Sequence, residues 1–495
     1  MVKSTRLMKT ILILFTAWCF ILTLYSLREL IEETVREQNW FWMTLAIIVF
    51  VLILVAALLL ISKMMSHISG KYRTAIIAAI IFVLALASRA IFYMIIATPQ
   101  FSDFNTFYKV TVRLSLGDNS FIGHNYWQAF SYQLGFPLFM SMFARLFHIY
   151  TQAPLIFINS IFASGSVVFI YLIAKRHVKE YAAIFAALIF LFFPLPLDLS
   201  AVFTNQHLSM LFILMGLYEL GGKWPPPLPK AIFGGIMLSL GNIIRPDAVI
   251  FTAAIAVLAL LCIRKDLIKP SGIRIRRILL VTGIIVIAFI FLGSLIGQIC
   301  SWKGVQPNGF SNSFPLYKFA VGSNYSTGGR YSRADDNFLI RNDAFFKDKT
   351  VRNKETAVLI KKRLSIGTGK LINLADMKVR FLWTTYKNDY ASFHGVYSKI
   401  KTNSKLTRSQ VNIINSWAKP YDNLLGFILF AVSGVAGIIL FRRKRLPAVI
   451  MVLVLSFLAF SSLHMLIEVQ YRYHYIMLPV LLIISTFAIE KIRKT

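Results

Sequence analysis

Long apolar runs are the feature that most constrains the fold of this chain. A helix needs about 20 apolar residues to cross a bilayer, and runs of this kind recur through most of the 495 residues, of which 57% are hydrophobic and 15% are charged. The sequence therefore predicts an all-α polytopic membrane protein. Its twelve predicted transmembrane helices cover residues 10–27, 42–63, 74–97, 152–174, 181–201, 205–221, 231–245, 248–263, 278–299, 423–441, 446–465 and 473–489.

Basic clusters between the runs predict the orientation. All seven clusters fall on one side of the twelve-helix arrangement, and the loops that carry them hold 24 Lys or Arg against three acidic residues. Because cytoplasmic loops are enriched in Lys and Arg, we expect this side, with both termini, to be cytoplasmic. The Ile-, Phe- and Lys-rich composition favours a bacterial plasma membrane. The clusters are Lys3–Lys9, Lys63–Arg73, Lys175–Lys179, Lys223–Lys230, Arg264–Arg277, Arg442–Arg445 and Lys491–Lys494.

Two longer segments fall on the opposite, outer side. Residues 98–151, here called the first loop, include the short apolar stretch Tyr132–Phe147. Counting that stretch as a span would place the basic cluster Lys175–Lys179 outside, so we predict a juxtamembrane helix on the outer surface. Residues 301–420, here called the second loop, lack an apolar run of spanning length and are predicted to form a small extracytoplasmic domain.

The predicted organisation has four parts. Residues 1–70 form two extra N-terminal transmembrane helices, residues 71–300 a transmembrane core that includes the first loop, and residues 421–495 the C-terminal transmembrane helices. The second loop, residues 301–420, holds 21 Lys or Arg against seven acidic residues. Such a basic surface suits anionic lipid headgroups or an anionic polymer, and the alternative is a solvated loop without a dedicated partner. Nucleic acid is not expected, because this face looks away from the cytoplasm.

A carboxylate stands where the third predicted helix leaves the membrane. Asp103 lies among aromatic residues, at a depth where water keeps a carboxylate charged and a lipid headgroup is level with it. We predict that Asp103 meets a substrate at this boundary and that Tyr108 lines the substrate site. Alternatively, Ser102 or Asp103 caps the amphipathic helix that follows. The two roles are compatible, because a cap holds a residue still.

Two arginines at other outer turns are candidates for binding a phosphate. Charged residues at membrane depth or at the ends of spans are costly, so they usually have a function. Arg245 and Asp247 form either a local ion pair or a phosphate-facing arginine with its orienting carboxylate. Arg472 lies in the last outer turn and is free to grip a monophosphate or diphosphate.

Further polar and aromatic residues lie at the same outer level. Glu468, Tyr473 and His474 surround Arg472 and offer a stacking and hydrogen-bonding surface for a sugar or an isoprenoid. The alternative is an aromatic belt at the membrane interface. His207, at the outer start of another predicted helix, is either a further lining residue or a cap.

Motifs of soluble enzymes are absent from the sequence. It contains no phosphate-binding P-loop, no dinucleotide fingerprint, no His-Glu-x-x-His motif and no nucleophile elbow. Its three cysteines, Cys19, Cys262 and Cys300, lie in or at the end of predicted spans and suggest neither a disulfide framework nor a zinc cluster. The converging acids, arginines and aromatics fit a lipid-linked transferase or a transporter.

The order of these features resembles the GT-C superfamily of membrane glycosyltransferases, in particular the branch of protein O-mannosyltransferases and lipid A aminoarabinose transferases. The resemblance covers about residues 74–300 and 420–490. It departs from the branch in two ways: residues 10–63 precede the usual start, and the acidic site reads Ser-Asp-Phe rather than Asp-Glu. The matching segments are Ala90–Asp103, Leu134–Phe139, Leu172–Arg176 and the late residues Glu468, Arg472, Tyr473 and Pro479.

The resemblance implies an inverting transfer from a polyprenyl-phosphate-linked sugar on the outer face. Asp103 would act as general base, and Arg472, then Arg245, then Lys318 would stabilise the departing phosphate. The acceptor would be an anionic cell-envelope polymer of the teichoic-acid type, another glycan, a membrane lipid or a protein. No cofactor is certain, and a divalent metal is possible but not indicated by the residues.

Two other function classes stay open at this point. A transporter or flippase also often has twelve spans with both ends inside, but the two halves of this sequence show no convincing repeat. A polymerase or ligase of lipid-linked glycans shares the multispan architecture and an outer active loop, and it would use a lipid-diphosphate donor.

Overall fold

The computed structural model describes residues 2–36, 40–96, 98–266, 272–306, 309–387, 390–393 and 406–492. Its chain is built of helices, which confirms the predicted all-α polytopic fold. Among the described residues, eight helices are long and apolar enough to cross a membrane. They are Arg6–Arg36, Trp40–His67, Arg73–Ile96, Gln152–Lys175, Gly272–Trp302, Arg408–Phe441, Ala448–Leu466 and the segment Tyr471–Lys491. Parts of two predicted basic clusters, at 267–271 and 493–494, lie outside the described residues.

The remaining predicted spans coincide with shorter or broken helices. Glu180–Phe190 and Pro194–Ser200 form one pair bent by 56°, which could count as a ninth span. Three further helices, Gln206–Leu220, Leu228–Ile244 and Ala248–Asp266, are 15, 17 and 19 residues long. A helix or a bent pair therefore lies at each predicted position, while the number of twelve crossings stays a prediction.

The described parts of the two loops contain short helices, and the long helix Arg408–Phe441 begins within the second loop. In the first loop the short helices are Ser102–Ser115, Ser120–Gly123, Asn125–Ala129, Ser131–Leu134 and Gly135–Leu146. In the second loop they are Leu316–Gly322, Tyr325–Thr327, Arg333–Leu339, Asp343–Lys347, Lys349–Leu364 and Thr368–Trp383. The 3₁₀ helix Tyr471–Ile476 precedes the last helix, Met477–Ile492. Two short strands, Val2–Lys3 and Arg445–Leu446, pair antiparallel and join two of the clusters predicted to be cytoplasmic.

The first helix packs along Arg408–Phe441 and supports the second loop at its other end. Small residues let the two helices approach closely: a Cβ atom at Gly434 would lie 3.2 Å from the Phe20 ring. At the end of the first helix, Glu29 and Glu32 both pair with the buried Arg380 of the second loop. The N-terminal helix is therefore part of the bundle and fixes the second loop against it.

The predicted juxtamembrane stretch contains the helix Gly135–Leu146, which is 12 residues long. Its first residue touches the backbone of the helix Leu228–Ile244, since a Cβ atom at Gly135 would lie 2.7 Å from the carbonyl carbon of Ile243. Phe136 packs against Phe107 of the helix Ser102–Ser115. These contacts hold the first loop on the end of the bundle.

The second loop is joined to the segment 467–476, here called the last turn. The Glu468 N–H donates to the Lys318 carbonyl at 2.9 Å, and the Val469 N–H donates to the Gly329 carbonyl at 3.0 Å. The second loop also approaches the chain closely at Gly322, where a Cβ atom would lie 2.6 Å from the carbonyl oxygen of Leu466, the residue before the last turn. The second loop therefore packs directly against the last turn through backbone contacts.

We predict that Gly322→Ala destabilises this junction by about 1–3 kcal/mol, because the added methyl group must displace backbone. A lower midpoint of thermal unfolding and faster proteolysis within the second loop would show the effect. Gly369→Ala is the matched control, since a Cβ atom there meets nothing within 4 Å and lies in a helix. Equal behaviour of the two variants would contradict the close approach at Gly322.

Candidate functional site

A cavity of about 500 Å³ opens where the first loop, the second loop and the last turn meet. The turn after the helix Leu228–Ile244 closes its fourth side. Seven of the ten residues singled out from the sequence line this cavity, although they come from four separate parts of the chain. They are Asp103, Arg245, Asp247, Lys318, Glu468, Arg472 and Tyr473.

Asp103 is held from two sides in this cavity. Its Oδ2 accepts a hydrogen bond from Arg472 Nη2 at 2.7 Å, and its Oδ1 accepts one from the Tyr126 hydroxyl at 3.3 Å. Burial opposes ionisation of the carboxyl, but Arg472, Lys318 and Tyr126 outweigh it and hold the pKa of Asp103 below its usual value. The side chain stays 31% exposed, so a substrate that enters the cavity can reach it.

Asp103 is not the cap of its helix. Phe101 stands at the N-cap position and makes no side-chain capping bond, so the alternative role of Ser102 or Asp103 as cap is wrong. Ser102 instead has φ +47°, a left-handed conformation that non-glycine residues adopt only at a cost. The strained residue turns the chain so that Asp103, in the first helical turn, faces the cavity.

Arg472 is fixed by partners on several sides. Besides its contact with Asp103, its Nε donates to Gln470 Oε1 at 2.8 Å. Its guanidinium lies 4.9 Å from the centre of the Phe104 ring, within range of a cation–π interaction. The side chain is therefore positioned before any ligand binds.

The other two predicted cations are also paired with acids that line the cavity. Arg245 Nε lies 2.6 Å from Asp247 Oδ2, so the local ion pair and the position at the cavity occur together. Lys318 Nζ pairs with the nearly fully buried Glu468. Burial opposes the charge on Lys318, but Glu468 raises its pKa well above the usual value, which keeps Lys318 a cation.

Three predicted lining residues lie away from the cavity. The Tyr108 hydroxyl donates to the Tyr150 carbonyl at 2.9 Å, and its ring packs near Phe203. His207 is fully buried, and its Nδ1 lies 2.7 Å from the Tyr475 hydroxyl. His474 is buried with its ring 5.6 Å from that of Trp383. Each is occupied by contacts inside the protein.

Several lining residues were not found from the sequence. Tyr126 binds Asp103, and Tyr331 and Asp336 reach the cavity from the second loop. These three could be found only from the tertiary structure. Gln470 had a signal in the sequence, because it stands midway between the predicted site residues Glu468 and Arg472.

The carboxylates of this site are paired with cations rather than grouped together. Asp336, for example, pairs with Arg341 at 2.8 Å. Within the described part of the chain, no three His, Cys, Asp or Glu side chains form a group that could hold a metal ion. The arrangement suits a general base beside a binding site for an anion.

The lowered pKa of Asp103 gives a testable prediction. Arg472→Gln removes the nearest cation, so the pKa should rise and the pH at half-maximal labelling of Asp103 by a carbodiimide should move upward. The pair stabilises the folded state above the ordinary pKa of the carboxyl, and this stabilisation is lost as pH falls through the lowered pKa. Arg113→Gln is the control, because Arg113 pairs with Asp118 elsewhere in the first loop. An unchanged labelling profile in Arg472→Gln would contradict the pairing.

Comparison with known proteins supports the fold. Residues 133–293 match the family model described as dolichyl-phosphate-mannose-protein mannosyltransferase. No curated protein matches the chain by sequence. The family match covers part of the predicted transmembrane core and the juxtamembrane helix.

Two solved structures are similar to this one. The oligosaccharyltransferase AglB from Archaeoglobus fulgidus, in complex with an inhibitory peptide and a dolichol-phosphate, aligns with a TM-score of 0.50 and 13% identity over 86% of this chain and 50% of that chain. The apo form of the Archaeoglobus fulgidus oligosaccharyltransferase aligns with a TM-score of 0.46 and 13% identity over 86% and 51%. This chain spans about half the length of those proteins. The chain is thus a multi-pass membrane protein whose all-α fold is similar to that of AglB, and residues 133–293 match the mannosyltransferase family model.

Proposed function

We propose that this protein is an inverting glycosyltransferase that moves a sugar from a polyprenyl-phosphate donor to an acceptor outside the cytoplasm. The observation that carries the proposal is the meeting of Asp103 and Arg472, 369 residues apart in sequence and 2.7 Å apart in space. Arg245 and Lys318 line the same cavity. A base and three cations around one pocket suit an attack on a sugar phosphate.

The proposed reaction is a single displacement. An acceptor hydroxyl attacks the anomeric carbon of the donor sugar, and a bond forms between its oxygen and that carbon. The bond from the anomeric carbon to the phosphate oxygen breaks on the opposite face, so the configuration inverts. Asp103 takes the hydroxyl proton as general base, and the polyprenyl phosphate leaves with the electron pair.

The cations of the cavity stabilise the departing phosphate. Negative charge grows on the phosphate as the bond breaks, and preorganised donors stabilise it without reorganisation. Arg472 is the first candidate because it also contacts the base, and Arg245 and Lys318 follow. All three are held by acids in the ligand-free structure, so the phosphate has to share them with or take them from Asp103, Asp247 and Glu468.

The lipid nature of the donor is supported by the similar proteins. The matching family is described by dolichyl-phosphate-mannose, and AglB was solved with a dolichol-phosphate. Aromatic side chains line the cavity beside Asp103 and offer apolar faces to a sugar ring or an isoprenoid. They include Phe104, Phe107, Tyr126 and Phe130.

The acceptor is proposed to be an anionic cell-envelope polymer on the outer face of the membrane. The helix Lys349–Leu364 of the second loop exposes four lysines to solvent. Such a surface attracts an anionic polymer towards the neighbouring cavity. The four are Lys349, Lys354, Lys361 and Lys362.

We predict that Asp103→Asn lowers sugar transfer by about 10²–10⁴-fold, the usual contribution of a positioned general base. The measurement uses protein in nanodiscs with a panel of radiolabelled polyprenyl-phosphate sugars. Asp118→Asn is the matched control, because Asp118 is a paired carboxylate of the same loop that does not line the cavity.

The outcomes of this assay separate the function classes. Transfer that survives in Asp103→Asn would remove the base from the proposal. Consumption or movement of lipid-diphosphate oligosaccharides, with no turnover of any polyprenyl-phosphate sugar, would instead identify a polymerase, ligase or flippase.

We predict that Lys354→Glu/Lys362→Glu raises the KM for an anionic acceptor roughly three- to tenfold and weakens its dependence on salt, since exposed charges act by screened attraction. The donor KM should not change. Lys71→Glu/Lys223→Glu makes the same charge change on the predicted cytoplasmic side and is the control. An acceptor KM that is insensitive to salt in the unmodified protein would contradict the anionic acceptor.

A further inference from the structure

Gln470 connects two of the ion pairs at the cavity. Its backbone is extended, with φ −144° and ψ 146°, and it immediately precedes the 3₁₀ helix Tyr471–Ile476. Glu468 and Arg472 lie two positions to either side of it. All three line the cavity. Gln470 was not singled out from the sequence, and the reaction proposed above gives it no part.

Both ends of the Gln470 amide are engaged. Its Nε2 donates to Glu468 Oε1 at 2.6 Å, and its Oε1 accepts from Arg472 Nε at 2.8 Å. A carboxylate only accepts and a guanidinium only donates, so the amide satisfies both partners in one orientation alone. Lys318, Glu468, Gln470, Arg472, Asp103 and Tyr126 thereby form one continuous chain of hydrogen bonds.

This chain restricts how Arg472 meets Asp103. Arginine and carboxylate often pair through two parallel hydrogen bonds, which is their strongest arrangement. Here Gln470 Oε1 accepts the single N–H hydrogen of Arg472 Nε, while Nη2 donates to Asp103. The side-on fork through Nε and Nη2 is therefore excluded, and Arg472 touches the carboxylate through one N–H group.

We propose that Gln470 is a positioning residue: it prevents Arg472 from forming the side-on double hydrogen bond with Asp103, so that the donor phosphate can take Arg472 over and leave Asp103 free to act as base. This inference rests on the transferase reaction proposed above. It also orders the reaction, because the donor has to bind before Asp103 can accept a proton from the acceptor.

The charged and titratable groups that face Asp103 come from three parts of the chain. Arg472 belongs to the last turn, Lys318 and Tyr331 to the second loop, and Tyr126 to the first loop. Among these groups, Arg472 is the one that donates a hydrogen bond to Gln470 as well as to Asp103. Loss of that bond should let Arg472 form the double contact with Asp103, which lowers the pKa of the carboxyl further.

The test is Gln470→Leu, which keeps the size of the side chain and removes both hydrogen bonds. We expect the donor KM to rise about ten- to a hundredfold, as for the loss of a hydrogen bond to a charged group. The acid limb of the kcat/KM profile should move to lower pH. The double variant Glu468→Gln/Gln470→Glu reverses the bond between positions 468 and 470, still lets both side chains accept from Lys318 and Arg472, and should recover most of the loss.

The control measurement is the midpoint of thermal unfolding, which shows whether each variant folds. A folded Gln470→Leu with unchanged donor KM and pH profile would overturn the inference, as would a double variant no better than the single one. If the unmodified protein transfers no sugar, the proposed function has failed, and carbodiimide labelling still decides the positioning. A labelling midpoint at lower pH in Gln470→Leu supports it, and an unchanged midpoint refutes it.

Discussion

The ion pair between Asp103 and Arg472 is the interaction on which the site depends. Charges at the edge of a bilayer persist only where partners compensate their lost hydration. Here Asp103 and Arg472 are far apart in sequence, and the bundle has to bring them together. The first loop and the last turn are thereby fixed relative to each other, and the cavity forms between them.

The second loop forms a further wall of the cavity. Its backbone bonds at Lys318 and Gly329 attach it to the last turn, and Lys318 brings a third cation to the cavity. At its far side, Arg380 is held by the acidic end of the first helix. The N-terminal helix, which precedes the part of the chain that resembles the superfamily, thus contributes to the site indirectly by supporting the loop that covers it.

Much of the bundle and part of the site could be predicted from the sequence for one physical reason. The bilayer requires long apolar runs, so helix positions are visible, and it makes charges at helix ends costly, so Asp103, Arg245 and Arg472 were conspicuous. The twelve-span count is harder to establish, because the middle helices are short or bent. The cap interpretation failed because Ser102 has a left-handed conformation that sequence does not reveal.

The predicted lining residues that lie away from the cavity are those whose side-chain direction depends on local geometry. His474 lies two positions after Arg472 in the 3₁₀ helix Tyr471–Ile476, where residues two apart do not share a face, and its ring is buried near Trp383. His207 and Tyr108 belong to helices whose rotation is set by packing. Tyr126 and Asp336 reach the cavity only through the fold of the loops.

The measurement that tests the account most directly is a structure of the protein in nanodiscs with a bound polyprenyl phosphate. The account predicts the phosphate in the cavity, within hydrogen-bond distance of Arg472, with Arg472 withdrawn from Asp103 and the carboxylate open to the acceptor side. A phosphate bound elsewhere, with Arg472 still on Asp103, would contradict the proposed site.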